Sequence, residues 1–285
     1  MTFVRIDGVP HHVQVDGTGP VCVLGAGLGL CWFDWDPVMP LLTPHRTVVR
    51  FDRPGLGLSG PGPRPGAARA WPTLHDEARR IAHVLDALGL DTPATVAGHS
   101  LAGFHAEAFA RLFPARTAGL VLLDTSVEEE PRPRRARAAR NACTRACGSL
   151  LAAAGAPRLL GPPLRRTVVR AGRRTGGDPA SYDLVRRAYS TSRSLHAVLA
   201  ENATYRDEAV ELASLRRNFP LPAVPVTVLA TGSRRWLARQ QALAERLDAD
   251  FRVAHRPCGH LLMLDRPEDV ASAVLAPDPQ VNEHP

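Results

Sequence analysis

Ser100 sits in the stretch Gly98-His99-Ser100-Leu101-Ala102-Gly103, between a continuous apolar run and the start of an amphipathic helical pattern. A serine on a sharp strand-to-helix turn is pushed outward, and the helix N-terminus aims partial positive charge at whatever reacts there. Such a turn is strained, which is why small residues at 98 and 102 matter. The chemistry this arrangement suits is nucleophilic attack. Taken alone, the match fits equally well a serine that caps an ordinary helix. His260 follows Gly259 in a segment outside any apolar run, the setting of a base more than of a core histidine. Two other constellations carry less. Gly25, Gly27 and Gly29 follow a strand-like run and invite a dinucleotide reading, but the third glycine of that fingerprint falls at position 30, which is Leu30. Cys143 and Cys147 are spaced as i and i+4 with no second Cys/His pair at ligand spacing nearby, so no metal site is expected.

The elements that must position Ser100 and His260 are legible in the apolar pattern. Thr2–Asp7 and His11–Asp16 alternate around Gly8-Val9-Pro10 and read as an antiparallel hairpin. Val21–Leu24, Thr47–Phe51, Ala94–Ala97, Leu120–Leu123 and Val226–Ala230 are apolar without alternation, as strands buried on both faces are. Helical spacing recurs in Thr73–Leu88, where Thr73 and Asp76 resemble a capping pair and Gly89 a C-cap, in Ser100–Phe113, and in Trp236–Leu247 before a short strand Phe251–Ala254. Strand–helix alternation of this kind implies a mostly parallel sheet with helices on both faces. It breaks between about Glu128 and Arg217, a stretch rich in Arg and Ala with no convincing buried strand, which reads as a helical insertion. The tail from Pro277 is polar and is expected to fray.

Three motifs in this order carry a family resemblance. Beside the serine turn stand Phe51-Asp52-Arg53-Pro54-Gly55-Leu56-Gly57-Leu58-Ser59 and Gly259-His260-Leu261-Leu262-Met263-Leu264-Asp265-Arg266-Pro267-Glu268, with Gly19-Pro20 before the Val21 run and Trp35 after it. Over about residues 1–125 and 222–275 the chain resembles the α/β-hydrolase fold superfamily, in its serine-nucleophile esterase, lactonase and peptidase-like branch. The resemblance implies an α/β fold with a mostly parallel central sheet flanked by helices and a helical cap inserted after strand 6. Residues 1–127 and 218–276 would form the core, 128–217 the cap or lid, and 277–285 a flexible tail. It further implies that Ser100 is the nucleophile and His260 the base that takes its proton and later returns it.

The acid departs from the family pattern. Its usual place follows Val226–Ala230, where this chain reads Thr231-Gly232-Ser233-Arg234-Arg235 with no carboxylate. A second location in the family lies after the preceding strand, where Asp124 follows Leu120–Leu123, and Asp124 is the expected acid. The other reading of Asp124 is a strand-end residue capping the Thr125-Ser126 turn. The oxyanion hole is expected from the backbone N–H groups of Leu28 and Leu101, with Ala26-Gly27 where the family has His-Gly. His99, Gly27, Trp32 and Trp236 are candidate pocket residues, and core packing is at least as good a reading of the two tryptophans. His105, beside the elbow, is a further pocket candidate, while the remaining histidines are expected at the surface or in packing.

The expected reaction is acyl transfer to water: cleavage of an ester, thioester, lactone or amide. The absent late acid and the Arg-rich insertion leave room for a lyase, cyclase or acyltransferase of a natural-product pathway, and less so for a non-catalytic ligand binder. At 285 residues the chain suits one large domain with an insertion. All 35 basic residues are arginine, the accent of a high-GC genome, and the net charge is +7. About half of the arginines fall between Arg132 and Arg217, without the interleaved aromatics or docking motif that nucleic-acid binding would want. A small-molecule acyl substrate, anionic or carrier-linked in the minority reading, is therefore the expected partner. No apolar run approaches a membrane span, no secretory signal opens the chain, and five scattered cysteines suit a reducing compartment. A cytoplasmic protein without metal, cofactor, membrane or nucleic-acid partner is expected; oligomeric state is left open.

Overall fold

The computed structural model describes residues 2–62 and 71–276. The expected frayed tail lies outside these residues. The N-terminal hairpin forms from β1 (Thr2–Ile6) and β2 (Val9–Asp16), paired antiparallel. Asp7 and Gly8 between them both take positive φ, 48° and 80°, as a tight hairpin turn demands. The apolar runs become β3 (Val21–Gly25), β4 (Thr47–Phe51), β5 (Ala94–His99), β6 (Thr117–Leu123) and β7 (Val226–Ala230), and β8 is Asp250–Val253.

The sheet has eight strands in the order β1-β2-β4-β3-β5-β6-β7-β8. The pairings of β1 with β2 and of β2 with β4 are antiparallel, and all others are parallel. Helices α1 (Met39–Leu42), α2 (Leu74–Ala87), α3 (Ala102–Leu112), α4 (Arg137–Ala153), α5 (Ala156–Gly172), α6 (Tyr182–Tyr189), α7 (Ser192–Asn218), α8 (Arg234–Leu247), α9 (Leu262–Asp265) and α10 (Pro267–Leu275) complete the fold. Thr73 and Asp76 form the predicted capping box of α2, and Gly89 sits just past its end at φ 66°.

Because side chains alternate along a strand, each central strand feeds two cores. Leu120 and Leu122 enter one with Leu85, Phe104 and Leu243, while Val121 and Leu123 enter the other with Trp35, Met263 and Val274. Each such fully buried leucine contributes about 1.5–3 kcal/mol relative to exposure. The connection between β6 and β7 carries α4 to α7. Near the end of α7, Ala209, Leu212 and Leu215 return to the sheet and join the first core.

Candidate active site

The parallel strands end along one edge, where crossover topology gathers loops from distant parts of the chain. Ser100 follows β5 at φ 52°, a left-handed conformation that a non-glycine residue adopts only under constraint. The constraint is visible at Gly98, where a Cβ would lie 2.2 Å from the Ala102 carbonyl oxygen, and at Gly103, where it would meet Thr125 Oγ1 at 1.8 Å. Only glycine lets the chain reverse so sharply into α3. The backbone is fastened to the neighbouring strand end: Ser100 N–H donates to the Leu123 carbonyl at 3.1 Å, and Ser126 N–H donates to the Ser100 carbonyl at 3.2 Å.

His260 comes from the loop between β8 and α9. Its Nε2 lies 3.1 Å from Ser100 Oγ, and its Nδ1 lies 2.5 Å from Asp124 Oδ2. Asp124, buried at the end of β6, also has positive φ, 41°. Its second oxygen, Oδ1, accepts from Thr231 N–H at 3.3 Å and from the Trp236 indole N–H at 2.7 Å. The loop after β7 thus lacks a carboxylate, and Thr231 in that loop and Trp236 in the first turn of α8 each donate a hydrogen bond to the one after β6. This line of hydroxyl, imidazole and carboxylate can move a proton from Oγ to Nε2 while the carboxylate orients the ring and faces its Nδ1–H.

The Gly27–Gly29 loop lies against the same serine. A Cβ on Gly27 would be 2.7 Å from His99 Nδ1 and 3.3 Å from Ser100 Cβ, so a larger residue would displace the loop. Among the described residues, neither Leu28 N–H nor Leu101 N–H is taken by a protein acceptor. The loop is held from behind by Arg53 of the Asp52-Arg53-Pro54-Gly55 turn. Arg53 Nη2 donates to the Gly27 carbonyl at 2.8 Å, Nη1 donates to the Ala26 carbonyl, and Nε donates to Glu201 of α7 at 2.6 Å. The other Glu201 oxygen accepts from Gly29 N–H at 2.8 Å. Burial alone would lower the Arg53 pKa; the Glu201 charge and hydrogen bond outweigh it and hold the guanidinium cationic.

His99 supports His260 and does not wall an open pocket. It is buried, and its Nε2–H donates to the His260 backbone carbonyl at 2.8 Å, with the two rings 4.7 Å apart. Burial, and then the adjacent His260, push its pKa down to about 3, so His99 stays neutral near neutral pH. The two tryptophans also have other tasks. Trp236 spends its N–H on Asp124, under the Arg239 guanidinium at 5.4 Å. Trp32 packs on His12, Phe33 and Arg50 beside β2 and β4. His105, flanking the elbow, is buried against Glu208 of α7, with Nε2 to Oε2 at 2.9 Å.

Three positioning groups escaped the sequence reading although two sit in motifs it quoted. In the sequence Arg53 and Asp265 stand only as parts of family motifs, and Trp236 as a pocket or core-packing residue. Asp265 fastens the His260 loop to the segment after α5. Its carboxylate accepts from Gly259 N–H at 2.9 Å, Arg174 N–H at 2.7 Å, Thr175 Oγ1–H at 2.7 Å and Arg173 Nε at 2.9 Å. Burial would raise its pKa, but these donors prevail and lower it. Pairing an acid in one motif with donors some ninety residues away leaves no local pattern to read. Among the described residues, no group of three or more His, Cys, Asp or Glu side chains is arranged to hold a metal ion.

Known proteins share this arrangement of elements. A protein named as a carbamate hydrolase, RutD, of Variovorax paradoxus is 33% identical over 144 residues, covering 49% of this chain and 52% of that protein. A 2-hydroxy-6-oxo-2,4-heptadienoate hydrolase of Pseudomonas putida is 36% identical over 124 residues, covering 42% and 43%. The chain therefore spans about half the length of these relatives. Among solved structures, wild-type Cfl2 of Burkholderia cenocepacia superposes with TM-score 0.74 at 21% identity, covering 96% of this chain and 94% of the other. A thermophilic esterase of Thermogutta terrifontis gives 0.70 at 23% identity with 97% of each chain covered, and these two likenesses speak for the fold. A family model described as the alpha/beta hydrolase family matches residues 21–273, nearly the whole described chain, and the protein belongs to that family.

Proposed function

We propose that the protein is a serine hydrolase that cleaves an ester, thioester, lactone or amide through an acyl-enzyme on Ser100. The observation that carries this reading is the continuous contact from Ser100 Oγ through His260 to the buried Asp124, at 3.1 Å and 2.5 Å. In the first half-reaction Oγ attacks the substrate carbonyl carbon as its proton passes to His260 Nε2. The carbonyl oxygen becomes an oxyanion facing the Leu28 N–H of the loop after β3 and the Leu101 N–H at the N-terminal end of α3. Collapse breaks the bond to the leaving group, which takes the proton from Nε2. Water then attacks the acyl carbon with His260 as its base, and collapse returns the proton to Oγ and frees the acid. Asp124 holds the ring through its contact with Nδ1. Helices α4 to α6 and the start of α7 act as the lid that shapes the acyl pocket. The relatives named as a carbamate hydrolase and a heptadienoate hydrolase support hydrolysis of a small carbonyl compound.

A fluorophosphonate probe tests the reading. It labels the wild-type protein, fails to label Ser100→Ala, and labels Asp124→Asn more slowly, by up to about 10⁴-fold. Equal labelling of wild type and Ser100→Ala overturns the assignment of the nucleophile. Labelling of Ser100 without turnover of short p-nitrophenyl esters would keep the nucleophile and move the reaction to elimination, cyclisation or transfer.

A further inference from the structure

Helix α5 is built inside out. Its sheet-facing side carries Arg165, whose guanidinium is buried against Asp34 and Asp178, with Phe33 and Tyr189 beneath it. Its outward side carries Leu160, Leu164 and Val168 at i, i+4 and i+8, one stripe on a helix, each more than half exposed. Leu159 on the same helix and Leu150 at the end of α4 are each 72% exposed. Exposed aliphatics gathered on two adjoining helices are unusual on a soluble protein and mark a surface that something covers.

The charges around the stripe say what covers it. From Pro131 to Gly177 the chain has twelve arginines and not one Asp or Glu; Arg132, Arg137, Arg140, Arg165 and Arg173 pair with acids, and Arg158, Arg166 and Arg170 of α5 appear in no ion pair among the described residues. Arg166 and Arg170 are exposed on the other edge of the outward surface of α5, beside Leu159 and with Arg166 over the Tyr182 ring at 5.2 Å, and Arg158 is exposed at its start. A second copy meeting this face about a two-fold axis would bring the two cationic fields together, which disfavours a self-complementary dimer. The chemistry that satisfies both features is apolar at depth and anionic at its surface. Projecting leucines, with arginines whose stems lie along them, suit insertion between acyl chains with guanidinium groups at phosphate level.

We propose that the outward face of α4 and α5 docks on an anionic lipid bilayer, lying in its interface without crossing it. The expectation of no membrane partner rested on the lack of a spanning run. Among the described residues no helix is long and apolar enough to cross a membrane, and interfacial docking needs none. The helix that carries this face also ends against the His260 loop, where Leu261 N–H donates to the Gly172 carbonyl at 3.2 Å.

Flotation of the intact protein with extruded vesicles tests the docking. Wild type floats with phosphatidylcholine vesicles containing phosphatidylglycerol, more weakly as salt rises, and much less with phosphatidylcholine alone. Leu160→Ser/Leu164→Ser/Val168→Ser lowers the vesicle partition coefficient by about a hundredfold or more, since roughly three aliphatic side chains no longer insert. Arg166→Gln/Arg170→Gln lowers it about fivefold per arginine removed on the anionic vesicles. All five side chains are exposed, so circular dichroism and thermal melting should match wild type. Unchanged flotation of the triple serine variant overturns the proposal, because the stripe then inserts nowhere. So does a wild-type dimer in light scattering that the triple variant converts to monomer, which assigns the face to a second copy. Failure to float while retaining polyglutamate through Arg166 and Arg170 also overturns it, in favour of an acidic protein partner.

Discussion

The sheet and the insert between β6 and β7 are held by different rules. In the sheet, apolar side chains are inside: Leu122 and Val228 are essentially without exposure, and the strands meet two continuous cores. In the insert, buried charges share the inside with apolar side chains such as Val185, Ala188 and Tyr189. Arg165 bridges Asp34 and Asp178, Glu201 joins Arg53 to the Gly27–Gly29 loop, and Asp265 collects Arg173, Arg174 and Thr175, while leucines of α4 and α5 face outward. Apolar burial is non-directional and tolerates repacking, whereas a buried ion pair holds only in one geometry and is costly when half of it is lost. The insert is therefore docked both by the apolar end of α7 and by a few ion pairs of defined geometry, two of which lie on loops that touch Ser100 and His260.

The comparison breaks or stands on Arg165. Arg165→Met leaves Asp34 and Asp178 buried without their cation and is expected to cost about 3–5 kcal/mol, as much as the cavity left by Leu122→Ala, about 2–5 kcal/mol. Urea unfolding measures both. The two losses differ in how they are repaired. Adding Asp34→Asn and Asp178→Asn to Arg165→Met removes the stranded charges and recovers much of the stability, while neutralising a carboxylate elsewhere does nothing for Leu122→Ala. A cost for Arg165→Met below about 1 kcal/mol would mean that packing, not charge, docks the insert.

The same contrast explains what could be read from the sequence. The runs at 21, 47, 94, 120 and 226 were legible as strands because a two-sided sheet forces an apolar residue at nearly every position. Ser100 was legible because its turn, with Gly98, Ala102 and Gly103, stands in order with the Asp52-Arg53-Pro54-Gly55 and Gly259-His260 motifs. Asp124 could be placed because the family resemblance offers a second location for the acid after the preceding strand, once the loop after β7 showed no carboxylate. The insert was legible only as helical and arginine-rich. Arg53 and Glu201 are far apart in sequence, as are Arg165 and Asp34, and no periodicity connects partners that meet only in space.

Glu201→Gln sharpens the comparison at the site itself. Glutamine keeps the side-chain length but turns an N–H₂ group towards Arg53 or Gly29 N–H, so one of the two contacts is lost. The loop carrying Leu28 is then less well fixed, and the expected outcome is a fall in kcat of about tenfold to a hundredfold with a smaller change in KM, below the roughly 10²–10³ lost when a whole oxyanion donor is removed. Glu201→Asp, which keeps the charge, should recover part of the rate. Steady-state kinetics on any ester the wild type turns over gives both parameters. A change confined to KM would show that α7 shapes the pocket without steadying the loop.

The smallest effect tests whether the loop after β7 really serves the acid on β6. Trp236→Phe keeps an aromatic ring against Gly232 and Arg239 but removes the N–H that meets Asp124 Oδ1 at 2.7 Å. A hydrogen bond to a carboxylate contributes about 1.5–3 kcal/mol, and only the share that fixes the carboxylate toward His260 reaches the transition state. Thr231 N–H still holds the same oxygen at 3.3 Å, so the expected loss in kcat/KM is roughly tenfold. The double variant Trp236→Phe/Asp124→Asn decides the cause. If the indole acts through the carboxylate, its removal adds almost nothing once Asp124 is an amide, because the two groups form one coupled unit. If the two losses multiply, Trp236 acts by another route, such as contact with substrate, and the donors after β7 are packing partners that happen to reach the acid.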